Sequence, residues 1–325
     1  MRKIYVYTIA KNERKFVDMF MKSAGEADGV YILDTGSTDG TPERLRELGA
    51  TVKEREYNPW RFDVARNDNL AMAPTDTDIC VSFDMDELLI PGWRDRLEKA
   101  WRADTEQANY KYVWNYNSDG SEGVTFNREK IHKYDVFRWK HPVHEVLTRI
   151  DGKPGSNTVF IDGITCEHHA DNAKPRSGYL PLLELSVEED PADDRNMHYL
   201  GREYMYHRRW QDAINTLKRH LANPNATWSA ERSASMRFIG RCFNALNYPY
   251  DALWWFQKAA AEAPLLREGW YEAAKQAFNM RDITAFKYFS RECIKIKERN
   301  NAGYIQESEP WSGEIERMIE RAKLL

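Results

Sequence analysis

Residues 84–87 read Asp-Met-Asp-Glu and follow the apolar run Ile-Cys-Val-Ser-Phe. Asp84 and Asp86 stand at i and i+2 on what that run makes a strand end. Both carboxylates can therefore address one hard divalent cation, Mg²⁺ or Mn²⁺. An ion held by only two protein oxygens completes its shell elsewhere, and phosphate oxygens are natural donors. Alone the triplet is weak, because a solvated acidic turn uses the same letters. A second cluster, Asp34-Thr-Gly-Ser-Thr-Asp-Gly40, closes another apolar run. Gly36 and Gly40 permit tight backbone turns, and Thr41-Pro42 reads as an N-cap and first helical residue. A capped turn explains residues 37–42 well. It does not explain Asp34, a carboxylate placed to accept an N–H from a base.

The elements that would carry these residues alternate up to about residue 120. Strand-like runs at 4–9, 30–34, 51–55 and 79–84 are separated by helix-like stretches at 13–25, 42–48 and 62–72. Such alternation predicts an α/β fold with a mainly parallel, Rossmann-like sheet and right-handed crossovers. In that class the ligand sits beyond the carboxyl ends of the strands. Residues 8–13, 34–40 and 84–87 all fall there, and three polar clusters at one edge make a site. Short β-like runs at 110–116, 136–139 and 159–161 predict a partly antiparallel continuation. The aromatics of 110–116 and Trp139 could stack on sugars or bases, or simply fill the core.

After about residue 190 the strand signals stop. Leu200-Gly201, Tyr204, Ala213 and Leu217 carry tetratricopeptide spacing, and Ile239-Gly240, Phe243, Ala252, Phe256 and Pro264 repeat it at an offset of about 39. An insertion around residues 223–230 accounts for the excess over 34. A degraded third copy runs through Trp270, Ala285 and Phe289. An unrelated helical bundle is the alternative. The expected domains are thus 1–190, α/β, and 191–325, an all-α tetratricopeptide-like helical domain.

Composition bounds the rest. The 325 residues include 13% aromatics, with 11 Trp and 17 Tyr, which excludes a disordered chain. Net charge is −4, from 47 basic and 51 acidic residues, which argues against a general nucleic-acid coat. No apolar run approaches the roughly 20 residues of a membrane helix. The start reads as a strand rather than a signal peptide. Cys80, Cys166, Cys242 and Cys293 are widely spaced, so zinc and disulfide frameworks are not expected and a cytoplasmic location is.

Taken in order, Thr8-Ile-Ala-Lys-Asn-Glu13, Asp34 to Thr41, Trp60 with Phe62, Ala65-Arg66-Asn67 and Asp84-Met-Asp-Glu87 closely resemble family 2 glycosyltransferases of the GT-A fold. His141-Pro-Val-His-Glu-Val-Leu147, Glu167-His-His-Ala170, Arg176 and the helical repeats resemble the subgroup with a tetratricopeptide tail. Bacteriophage and bacillus peptide glycosyltransferases share that architecture. The resemblance spans nearly the whole chain and is specific for fold and chemistry, not for acceptor. It implies that Thr8, Ala10 and Glu13 line a nucleoside pocket, that Asp34 binds a uracil-type base, and that Arg66 holds base or diphosphate. Asp84 would touch ribose or sugar and Asp86 the metal, with His168, rather than His169, as a second ligand.

The implied activity is metal-dependent, inverting transfer of a sugar from a nucleotide-diphosphate donor, a UDP-sugar, with Mn²⁺ or Mg²⁺. The acceptor stays open among peptide, glycan or lipid, and modified nucleobase. A base is needed for the acceptor's proton. Glu145, oriented by His144, is the candidate, although the Glu-Asp pair of many relatives is missing here. A structural histidine with a solvated Glu is the competing reading. A homo-oligomer through the helical domain is a further expectation. The rival functions are a tetratricopeptide interaction scaffold carrying an inactive transferase domain and a metal-dependent phosphohydrolase. The latter normally gathers more carboxylates around two ions.

Overall fold

A computed structural model describes residues 1–117, 119–171, 178–299 and 307–322. The chain divides into two compact units, 1–176 and 177–325. Arg176 lies outside the described residues.

The first unit is built from β1 (Ile4–Ala10), α1 (Val17–Ala24), β2 (Gly29–Asp34), α2 (Thr41–Glu47), β3 (Thr51–Glu54), α3 (Phe62–Leu70) and β4 (Ile79–Ser82). There follow β5 (Glu87–Leu89), α4 (Trp93–Ala100), β6 (Gln107–Val113), β7 (Thr125–Lys133), β8 (Phe137–Lys140), β9 (Val146–Arg149) and β10 (Thr158–His168). Eight strands form one sheet in the order β3-β2-β1-β4-β7-β6-β10-β5, and β8 pairs with β9 apart from it. β1 to β4 are mutually parallel. β7 runs antiparallel to both β4 and β6, β10 parallel to β6, and β5 antiparallel to β10. The sheet is therefore mixed, with its parallel half where the alternating pattern was clearest. β5, β7, β9 and α4 were not expected. β5 is three residues long, too short for any periodicity to register.

The order of strands decides where ligands go. From β1 the chain steps outward to β2 and β3, then returns to β4 on the other side of β1. The sheet reverses direction of growth between β1 and β4, which is where open α/β sheets place their crevice. Two reversals, β4 to β7 and β7 to β6, leave β6 and β10 pointing the same way as β4. The carboxyl ends of β1, β2, β4 and β10 thus share one edge. Beneath it lies an apolar core in which Phe20, Ile32, Ile79, Phe83, Trp93, Tyr110 and Tyr112 are almost wholly buried.

The second unit is helical: α5 (Tyr179–Glu189), α6 (Asp194–Tyr206), α7 (Trp210–Ala222), α8 (Ser229–Ala245), α9 (Pro249–Glu262), α10 (Arg267–Asn279), α11 (Ile283–Lys295) and α12 (Glu314–Ala322), with a 3₁₀ turn before the last. α5, placed from sequence in the first domain, belongs to this unit, and its Glu184 accepts from Tyr204 at 2.8 Å. The repeat positions meet as their spacing requires. A Cβ on Gly201 would lie 2.5 Å from Leu217, and one on Gly240 2.4 Å from Phe256. Each glycine lets the second helix of its pair approach closely, as in a tetratricopeptide-like hairpin. The expected insertion is the loop between α7 and α8, where Asn223 and Asn225 both donate to the Ala192 carbonyl.

Candidate active site

The corner formed by β1 and β2 is closed by its own polar groups. Asp34 Oδ1 accepts from the backbone N–H of Gly36 at 3.0 Å and of Ser37 at 2.8 Å, and Oδ2 accepts from Ser37 Oγ at 2.5 Å. Ser37 Oγ in turn accepts from Asn12 N–H, and Asn12 Oδ1 accepts from Thr38 N–H. Glu13 N–H donates to Thr41 Oγ1. Gly36 takes φ +102°, a conformation a side chain would oppose. Thr41 is not the helix cap: Gly40 occupies that place, and the Thr41 hydroxyl donates to Asp39. Thr8, Ala10, Glu13 and Asp34 are all buried at this corner. Asp34 organises the loop, with three donors already on its carboxylate and one lone pair of Oδ2 left over.

Beside it, α3 presents Arg66 from beneath. The guanidinium is buried, donates through Nη2 to Asp84 Oδ1 at 2.7 Å and through Nε to Glu145 Oε1 at 2.6 Å, and lies 5.0 Å from the Trp139 ring. Its third nitrogen, Nη1, is buried with no hydrogen-bond partner. Asp84 Oδ2 accepts from Lys130 Nζ at 2.9 Å. Burial pushes the Asp84 carboxyl up, but Arg66 and Lys130 outweigh it and hold it far below the usual carboxylate range. Burial likewise opposes the charge of Arg66, and Asp84 and Glu145 more than restore it. Glu87, fully buried, accepts from Asp84 N–H at 2.7 Å and from Tyr112 at 2.8 Å, so it fixes the turn.

Asp86 points elsewhere. Its Oδ2 lies 3.5 Å from His168 Nε2. The pairing of β5 with β10 sets Glu87 opposite His168, and His169 N–H donates to the Asp86 carbonyl at 2.7 Å. His168 Nδ1 is 3.1 Å from the Trp114 carbonyl, and the ring stacks on Trp114 at 4.5 Å. Burial disfavours its charged form, yet the bonds to Asp86 and the Trp114 carbonyl raise its pKa above the ordinary value. His169 instead sits 3.6 Å from Glu167.

His144 and Glu145 occupy the loop between β8 and β9. The Pro142 carbonyl accepts from Phe62 N–H, and Asn67 exchanges two hydrogen bonds with the Trp139 backbone, at 2.8 and 2.9 Å. His144 adopts φ +51°, an uncommon backbone for a residue with a side chain. Thus Arg66, Asp84 and Glu145 form one ionic chain, Asp86 and His168 a second group, and the Asp34 loop a third. Sequence reading missed Lys130 and the clamp made by Asn67. Nothing local marks either: Lys130 is an inward lysine on a strand 46 residues from its partner. The aromatics divide. Tyr110, Tyr112 and Trp139 are core, while Trp114 and Tyr116 are each 41% exposed.

Two carboxylates and one histidine also converge in the helical unit, at Asp194, His220 and Glu231. Among the described residues no helix is long and apolar enough to cross a membrane.

Residues 5–152 match the family model described as Glycosyl transferase family 2. A search of curated proteins finds no match. Among solved structures the chain is similar to PilF of Pseudomonas aeruginosa, at 13% identity and a TM-score of 0.34, covering 44% of this chain and 62% of that one, less than two thirds of its length. MamA is similar at 17% identity and a TM-score of 0.34, over 45% of this chain and 85% of MamA. The Yersinia enterocolitica type III secretion chaperone SycD, solved with a peptide of the translocator YopD, reaches 13% identity and a TM-score of 0.34, over 40% of this chain and 92% of the chaperone. Likeness at that level carries nothing about activity. Over residues 5–152, a little under half of the chain, the first unit matches glycosyl transferase family 2, and it carries a glycosyltransferase domain of that kind.

Proposed function

We propose that the first unit moves a sugar, with inversion, from a UDP-sugar to a nucleophilic acceptor of peptide, glycan, lipid or modified-nucleobase class, using Mn²⁺ or Mg²⁺. The observation that carries this reading is the ionic chain of Arg66, Asp84 and Glu145 together with the Asp86–His168 pair, two groups held by α3 and by the strand ends and loops at the carboxyl edge of the sheet. The donor set fits a divalent ion at Asp86 and His168. With Nδ1–H given to the Trp114 carbonyl, the Nε2 lone pair of His168 faces the Asp86 carboxylate, the orientation a ligating histidine needs. Asp84 is gripped by two cations and is better suited to a ribose or sugar hydroxyl. The ion, when bound, supplies positive charge toward a departing diphosphate.

The chain's own residues do the rest. Thr8, Ala10, Glu13 and the Asp34 loop form the base side, with Asp34 Oδ2 still able to accept one N–H. Arg66 Nη1 supplies a donor for a phosphate or sugar oxygen, since a buried guanidinium N–H without a partner is costly. Glu145, held by Arg66 and with His144 beside it in sequence, takes the acceptor's proton as the acceptor oxygen, nitrogen or sulfur bonds to the anomeric carbon. The bond from that carbon to the diphosphate oxygen breaks, and the electron pair leaves with the diphosphate. Four buried, unpaired cysteines support a reducing compartment such as the cytoplasm. An inactive scaffold would need none of these charges at one edge.

The test is a nucleotide-sugar screen for nucleoside diphosphate release with Mn²⁺ and no acceptor, run beside Asp86→Ala. Slow release of UDP from one donor, lost in Asp86→Ala together with Mn²⁺-dependent UDP binding by calorimetry, is expected. Release and UDP affinity that are unchanged in Asp86→Ala would sink the assignment of the ion.

A further inference from the structure

The core of the helical unit contains a polar chain that packing does not call for. His198 on α6, His220 on α7 and Ser235 on α8 have no exposed surface. Ser235 Oγ lies 2.7 Å from His198 Nδ1 and 3.0 Å from His220 Nδ1. The other ring nitrogen of His220, Nε2, is buried and makes no hydrogen bond, although Glu231 Oε1 is 3.3 Å away. Glu231 is itself buried, and a carboxylate oxygen of Asp194 completes a group whose three donor atoms lie within 4.8 Å of one another.

Helix dipoles account for part of this. Asp194 and Glu231 stand in the first turns of α6 and α8, and His220 in the last turn of α7, each on its favoured end. They do not account for two carboxylates converging on an imidazole nitrogen that has no hydrogen bond. A protonated His220 would donate from Nε2 to Glu231, but the geometry there makes no such bond. If instead His220 Nδ1–H donates to Ser235 Oγ and the serine O–H donates to His198 Nδ1, both Nδ1–Oγ contacts are hydrogen bonds. The Nε2 lone pair then faces both carboxylates.

We propose that Asp194, His220 and Glu231 bind a divalent transition-metal ion of the zinc class, which fastens α6, α7 and α8 together. One imidazole and two carboxylates form a borderline-hard set that suits Zn²⁺ and its neighbours better than Mg²⁺. Metal–ligand bonds of about 2.1 Å give a tetrahedral edge of about 3.4 Å, and the His220–Glu231 separation of 3.3 Å already matches it. The widest pair, within 4.8 Å, needs to close by roughly an ångström or so on that geometry. Ser235 and His198 are the outer partners that hold the ring and its tautomer. The site is separate in chemistry from the Asp86–His168 pair and stands whether or not that pair binds an ion.

The test uses the full chain carrying Asp86→Ala, so that the other candidate ligand set is disabled, stripped with a chelator. Titration with Co²⁺, followed by its visible absorption, and with Zn²⁺, by competition with a chromogenic chelator, should show one equivalent bound. The thermal midpoint should rise with Zn²⁺ concentration. Adding His220→Gln should abolish the equivalent, and Ser235→Ala, which keeps all three ligands, should weaken it by about 10–100-fold. If His220→Gln does not fold, the Ser235→Ala affinity and the Zn²⁺-dependent midpoint decide. A stripped Asp86→Ala protein that takes up no Co²⁺ or Zn²⁺, or a folded His220→Gln protein that binds as tightly as its parent, overturns the proposal.

Discussion

Replacing Glu145 with Gln separates two roles that the native side chain combines. Glu145 Oε1 accepts from Arg66 Nε at 2.6 Å, in a setting where only 13% of the side chain is exposed. The amide oxygen of Gln can accept the same N–H, so the tether survives as an ordinary hydrogen bond instead of a charge-assisted one. That exchange is worth roughly 1 kcal/mol, the difference between about 1.5–3 and about 0.5–1.5. Expressed wholly in the rate it is about a fivefold effect. An amide cannot take a proton. If Glu145 is the base, turnover should fall by about 10²–10⁴, or about 2.7–5.4 kcal/mol of barrier. The two outcomes do not overlap. The assay is transfer or donor hydrolysis at saturating donor, with the donor Kd measured by calorimetry and His144→Gln run in parallel. Donor affinity should stay within a few-fold. A turnover loss of fivefold or less would falsify the base assignment and leave Glu145 as the anchor of Arg66.

Three further outcomes follow from the geometry. Asp34→Asn removes the charge that three donors share, so UDP affinity by calorimetry and the free energy of unfolding should both drop, the latter by roughly 1–2 kcal/mol; unchanged UDP affinity would remove the loop from the nucleotide site. Gly240→Ala drives a methyl to 2.4 Å from the Phe256 ring and should destabilise the helical unit by about 1–3 kcal/mol in urea unfolding; a cost under 0.5 kcal/mol would show that the helix pair can spread. His132 is fully buried, accepts from the Tyr7 hydroxyl at 2.8 Å, and is pushed down by burial to a pKa of about 4. The unfolded chain, near 6.5, takes the proton first as pH falls. The contribution is present above about 6.5 and is lost progressively toward 4, by up to about 3 kcal/mol. His132→Phe should flatten that part of the stability profile, and an equal slope in both proteins would refute it.

The division of the charged residues into separate groups has a consequence for the Asp84-Met-Asp86 segment. Adjacent carboxylates on one strand end suggest a shared ion, yet Asp84 is already neutralised by Arg66 and Lys130. Glu87 fixes the turn, the intervening Met85 is buried, and the two acids meet different partners. Only Asp86 faces His168. A cation there would meet one carboxylate and one imidazole, leaving most of its coordination to a ligand. This suits an ion that must bind with a diphosphate and leave with it better than one held permanently by protein.

What could be read from the chain, and what could not, follows the range of the forces involved. The β1–α1–β2 alternation, the Asp34 loop and the Gly201–Leu217 and Gly240–Phe256 pairs are written in neighbouring residues or fixed periods, so spacing finds them. The alternation of strands and helices placed residues 8–13, 34–40 and 84–87 at one edge because strand order in a parallel sheet constrains loop positions. Pairings across long separations leave no such trace. Arg66 meets Glu145 across 79 positions, Lys130 meets Asp84 across 46, and Asn67 clamps Trp139 across 72. Each depends on the registers of β4, β7 and β8, which tertiary packing sets. Asp34 is the opposite case. Its donors are two and three residues away, so its part in closing the turn is local chemistry that the sequence does carry, beside the outward partner expected of it. A polar residue at a sheet edge must therefore first be checked against the backbone it can close before a ligand is assigned to it.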